Sequence, residues 1–195
     1  MAIALVPWTV RHWPSQDGPN HLAVAHVLAT YAEPGSPFPQ YLSMQTGFRP
    51  STALYEILRA LGRFVSLEIA EKCLVSLALA MLPLSLLLFV RRAVPRRAGN
   101  VLLAMPFVLG WAFAMGFLSF QLGMALGVLT LALAWEPRAS EAGGGSLGWQ
   151  HGLASAAYVL CVWFHPVVAL MTGLAFVLLE WKNVLRRSEW PRMLV

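Results

Sequence analysis

The chain has little charge: of its 195 residues, 12% are Asp, Glu, Lys or Arg, against 58% hydrophobic. That balance excludes an ordinary soluble surface and fits a membrane composition. It has 2 cysteines, Cys73 and Cys161, both inside apolar runs. That count and placement argue against a disulfide framework and a zinc site, and both read as small hydrophobes. HExxH, CxxC, Walker A, GxGxxG and GxSxG motifs are all missing, so metal, nucleotide and serine-hydrolase chemistries have no foothold. His12, His21 and His26 lack ligand spacing, and no cofactor is implied.

What the chain does have is a run from Val101 to Trp135 with no charged residue, broken only by Ser119, Gln121 and Thr130. It is nearly twice the roughly 20 residues that cross a bilayer as a helix. The basic residues cluster between apolar runs: Arg91, Arg92, Arg96 and Arg97, then Lys182, Arg186, Arg187 and Arg192. They read as cytoplasmic segments under the positive-inside rule, not as a nucleic-acid face. The expected fold class is all-α: a polytopic transmembrane helical bundle with two outer amphipathic interfacial helices.

Residues 1–195 read as one membrane domain. Met1 to Val10 is apolar but too short to span, and it lacks a basic n-region and a cleavage site. It reads as the outer half of a first span whose beginning is missing, which makes the chain a fragment of a longer protein. Residues 11–65 form a polar outer segment. Val24, Val27, Leu28 and Tyr31 share one helical face, as do Leu54, Ile57, Leu58 and Leu61. These two helices either lie along the membrane interface or pack on one another as a subdomain. Pro34 to Pro50 is loop. Ser66 is placed to cap the next helix, with Glu68 and Glu71 in its first turns.

Spans or half-spans are expected over 66–90, 101–115, 117–135, 151–164 and 166–181. Pro83 is expected to kink the first of these. Length favours a bend near Met115-Gly116, and His165-Pro166 marks a second bend. Gly123 and Gly127 form a GxxxG pair, read either as a close helix contact or as the ordinary glycine content of membrane helices. A flexible loop is expected over 136–150. Trp8, Trp13, Trp111, Trp163 and Trp181 read as interface residues. In this map 11–65 and both bends lie outside, and 91–100 and the C-terminus lie inside.

Chemistry points to Gln16-Asp17-Gly18-Pro19-Asn20-His21. A carboxylate near the membrane surface can act as general base toward a hydroxyl, with an imidazole nearby. The same residues are also ordinary turn and cap chemistry. His165, in an apolar run, is read either as facing a cavity or as lying at the interface. Gln121 reads as a helix–helix hydrogen bond.

The arrangement resembles the N-terminal part of bacterial polytopic membrane proteins related to the GT-C glycosyltransferases. The likeness rests on Gln16-Asp17-Gly18-Pro19-Asn20-His21 after the first span, the paired outer helices, Met115-Gly116-Phe117-Leu118-Ser119-Phe120 and Phe164-His165-Pro166. It implies transfer of a sugar from a polyprenyl-phosphate donor on the outer face, with the lipid bilayer and that donor as partners and no nucleic acid. Asp17 would be the base; the assisting role of His21 rests on the residues alone, not on the resemblance. Arg11 or Arg49 would contact the donor phosphate, and His165 the substrate. The competing reading is a non-enzymatic membrane component, either a transporter part or an assembly subunit; the near absence of charge in the spans argues against ion coupling.

Overall fold

A computed structural model describes residues 2–44, 49–135 and 148–186. The regular elements among them are all helical: α1 (Gly18–Thr30), α2 (Ala53–Leu61), α3 (Leu67–Ala93), α4 (Met105–Val108), α5 (Trp111–Ala114), α6 (Leu118–Ala134), α7 (Gly148–Phe164) and α8 (Pro166–Arg186). Most of the loop expected over 136–150 lies outside the described residues, as do Arg187 and Arg192.

α3 starts at its cap: Ser66 Oγ accepts the Ile69 N–H at 3.4 Å. It runs 27 residues through Pro83, about 40 Å at 1.5 Å per residue. Among the described residues it is the one helix long and apolar enough to cross a membrane, with a mean hydropathy of 2.6; α6 and Pro166–Leu179 are apolar but shorter. Its inward stripe is Glu71, Leu74, Val75 and Ala78, all buried, at the i, i+3, i+4, i+7 spacing of one helical face.

α6 is the inner helix, packed against α3, α7 and α8. It begins at the same end of the bundle as α3. At the other end Arg92 Nη1 donates to the carbonyls of Ala132 (2.7 Å) and Leu133 (3.4 Å). A guanidinium there satisfies the orphan carbonyls of the last turn of α6. The two helices therefore run parallel, and residues 94–117 carry the chain back between them.

That return is not the single helical half-span expected over 101–115. It is a 3₁₀ stretch, Pro95–Ala104, followed by the short α4 and α5. The cause is local. Pro95 and Pro106 supply no N–H, Arg97 leaves helical geometry at φ −117°, and Gly110 is extended. Met1 to Val10 differs too: Ala2–Thr9 is 3₁₀ and lies against α3. Trp8 Nε1 donates to Ser76 Oγ (3.0 Å), and Lys72 Nζ donates to the Val10 carbonyl (2.6 Å).

The chain breaks at both expected bends. Gly116 takes φ +83° between α5 and α6. At His165 the chain turns back sharply enough for Tyr158 Oη to reach the Ala169 carbonyl at 3.2 Å. Gly123 and Gly127 lie at the contact with α8. A Cβ on Gly123 would sit 3.0 Å from His165 Cβ, and one on Gly127 would collide with Thr172 Oγ1. The glycine pair is thus a close-contact device. Cys161 adds to it, its Sγ donating to the Gly123 carbonyl at 3.3 Å.

The two amphipathic helices, α1 and α2, follow the packing alternative rather than the interfacial one. α1 and α2 lie on one another, and α2 also meets α3, α6 and α7. Ala53, Leu54 and Leu58 are fully buried by protein, so the apolar face of α2 is not left for an interface. Glu56 and Arg59 pair on the opposite face at 2.7 Å.

Candidate functional site

The site forms where the Asp17 segment docks on the Gly116 bend. Gln16 N–H donates to the Ala114 carbonyl (3.4 Å) and Asp17 N–H to the Met115 carbonyl (3.0 Å). Gly116 is required there twice over. Its φ lies in the left-handed region, and a Cβ would stand 2.9 Å from Ser15 Oγ and 3.2 Å from Asp17 N.

His21 locks the junction from above. It is buried, with Nε2 3.0 Å from the Gly116 carbonyl and Nδ1 3.2 Å from Tyr55 Oη. A carbonyl only accepts, so Nε2 carries the hydrogen, and in the neutral ring Nδ1 accepts from the tyrosine hydroxyl. Burial and, secondarily, the Asp17 charge push the Tyr55 hydroxyl above its ordinary pKa, which keeps it a donor. With both nitrogens engaged, His21 ties α1, α2 and the bend together. Its place is that of a positioning residue.

Asp17 sits at the N-cap position of α1, yet its side chain makes no cap hydrogen bond. Ser15 does the local work instead, its Oγ accepting the Gly18 N–H at 3.1 Å. Asp17 lines a cleft of about 570 Å³ together with His21, Ser119, His165 and an apolar wall that includes Trp111, Phe117 and Phe120. Trp111 packs edge-on against Phe117 at 5.3 Å, and Phe120 edge-on against His165 at 5.4 Å.

His165 is fixed as the cap of α8. The Val168 N–H points to its Nδ1 at 3.4 Å, so in the neutral ring the hydrogen is on Nε2, leaving a donor for the cleft. The cleft thus offers an acceptor, Asp17, and a donor, His165, against aromatic faces. Chemically it can hold a hydroxyl-bearing group and take a proton from it.

Asp17 and His21, four residues apart, meet the distant His165 at this cleft. Arg11 and Arg49 are exposed and do not line it. Sequence reasoning passed over Ser15 and Tyr55, which carry no local signal. It treated Glu71 as a first-turn charge, although its spacing to Leu74, Val75 and Ala78 places it on the buried stripe. No family model, no curated protein and no solved structure matches the chain.

Proposed function

We propose that the chain is a multi-pass integral membrane protein of GT-C-like architecture that transfers a glycosyl group from a polyprenyl-phosphate donor to an acceptor hydroxyl. The observation that carries this reading is Asp17, an acid whose side chain makes no cap bond, lining the cleft with His165. In the reaction the acceptor oxygen bonds to the anomeric carbon while the bond from that carbon to the lipid-phosphate oxygen breaks. The lipid phosphate leaves with the electron pair, and Asp17 takes the hydroxyl proton.

The bilayer setting is supported by the outward faces of α7 and α8. Val159, Val167, Leu170, Leu174 and Val177 are all more than half exposed, an apolar surface that water would not tolerate at this extent. The clustering of Arg91, Arg92, Arg96 and Arg97 at the end away from the cleft supports an outer position for the cleft. In cells carrying Ser51→Cys in a background of Cys73→Ala and Cys161→Ser, an impermeant maleimide is expected to label intact cells. Labelling only after permeabilisation would reverse the orientation.

One observation favours the alternative, a non-enzymatic membrane component: among the described residues the cleft lining includes no lysine or arginine to meet a phosphate. Turnover separates the two readings. The full chain in lipid nanodiscs, given polyprenyl-phosphate hexoses together with a panel of hydroxyl-bearing acceptors, is expected to release polyprenyl phosphate faster than empty nanodiscs. Saturable donor binding with no release would leave the non-enzymatic reading in place of the enzyme.

A further inference from the structure

Behind the cleft, sharing His21 and Leu118 with its wall, lies a second and much smaller chamber. Ser15, Glu71, Gln121 and Gly116 also line it, and its volume is about 10 Å³, the scale of a single water molecule. Glu71 is 5% exposed. It makes no hydrogen bond or ion pair with a described residue, and the ammonium of its neighbour Lys72 is turned to the Val10 carbonyl at 2.6 Å. A largely buried carboxyl group that makes no hydrogen bond to a described residue is left for water to satisfy.

The polar groups around the chamber are complementary to one water. Ser15 Oγ accepts the Gly18 N–H at 3.1 Å, which leaves its own hydrogen to give. Gln121 Nε2 donates to the Val108 carbonyl at 3.3 Å, which leaves its Oε1 to accept. A water that donates to Glu71 and to Gln121 Oε1, and accepts from Ser15, makes the three hydrogen bonds usual for a buried water. Gly18 stands between the two oxygens: a Cβ there would lie 2.6 Å from Ser15 Oγ and 2.9 Å from Glu71 Oε1.

We propose that this chamber binds one water molecule, and that through it Glu71 is a positioning residue for the segment carrying Asp17. The path runs from Glu71 on α3 through the water to the Ser15 hydroxyl, then to the Gly18 N–H and the first turn of α1. Gln121 ties the same water to α6. The assignment concerns the fold around Asp17 and stands whether or not the protein transfers sugar.

The test is solid-state NMR of the full chain in lipid bilayers, reading magnetisation transfer from bound water together with amide exchange. The expected result is a bound-water signal at the Gln121 side chain and the Gly18 amide. In Glu71→Leu that signal is lost, and the amides of residues 18–21 exchange about 10-fold faster, roughly the effect of one lost buried hydrogen bond, while α7 and α8 keep their protection. Glu71→Gln keeps a donor and an acceptor at the same reach and is expected to restore both readouts. Glu71→Asp draws the carboxylate back by one methylene and is expected to behave like Glu71→Leu, which keeps the test open if leucine prevents folding. No bound-water signal in the wild type, unchanged protection in both Glu71→Leu and Glu71→Asp, or loosening spread evenly through α7 and α8 would each overturn the proposal. So would a signal that changes when sodium replaces potassium, which would assign a cation instead.

Discussion

Replacing Asp17 with asparagine is expected to lower glycosyl transfer by about 10²-fold or more, the scale of a lost general base, with no loss of folded protein. Asparagine keeps the size and a hydrogen-bonding oxygen, but it cannot take the acceptor proton. The stability half follows from the cap geometry. Asp17 contributes no side-chain cap bond to α1, and asparagine caps as well as aspartate in any case. Even Asp17→Ala is expected to shift unfolding by no more than about 0.5 kcal/mol, as for a side chain that makes no hydrogen bond with a described residue. Donor turnover and thermal unfolding, measured on the same preparations, check both halves. A variant that is stable and inactive fits a base. One that is unstable and inactive in proportion would return Asp17 to a structural role.

Gly116→Ala is expected to damage the site from the other side. Backbone strain from φ +83° and a Cβ 2.9 Å from Ser15 Oγ act together. We expect a loss of about 1–3 kcal/mol in stability and a displaced Asp17 segment, because Asp17 N–H and His21 Nε2 both bond to this bend. Gly35 provides the control. Its φ is +84°, but a Cβ there would meet nothing within 4 Å. Gly35→Ala therefore carries the strain without the collision. Chemical denaturation of both variants should show the larger loss at Gly116, with donor turnover abolished only there. Equal losses and equal turnover would mean that the bend does not hold the site.

The sequence announced the site in part. Asp17 stood out as the acid just after the first apolar stretch, where an amphipathic helix begins, and the breaks at Gly116 and His165 were legible from run length and from the His-Pro step. Their convergence was not. Nothing local says that residue 17 meets residue 115, or that His21 reaches the Gly116 carbonyl, because those pairings join segments about a hundred residues apart. Helix α2 shows the limit from another angle. Its apolar stripe was legible, but a stripe states only that something covers it, and here the cover is protein. The 95–116 return failed for a different reason. Apolar composition matched a span, while Pro95, Pro106 and Gly110 denied it a continuous hydrogen-bond ladder. Glu71 was hidden by its own plausibility, since an acid near a helix start satisfies the dipole rule whether or not it is buried.

The most direct measurement asks whether a lipid-linked sugar enters the cleft. Phe117 lines it, whereas Val177 lies on the outward face of α8, 53% exposed. A photoreactive benzophenone side chain would be placed at each position in turn, with the protein in bilayers holding a radiolabelled polyprenyl-phosphate sugar. Crosslinking at position 117 that excess unlabelled donor competes away, with only non-competable background at 177, is the predicted result. Equal, non-competable labelling at both positions would contradict the assignment of this cleft as the place where the donor is bound.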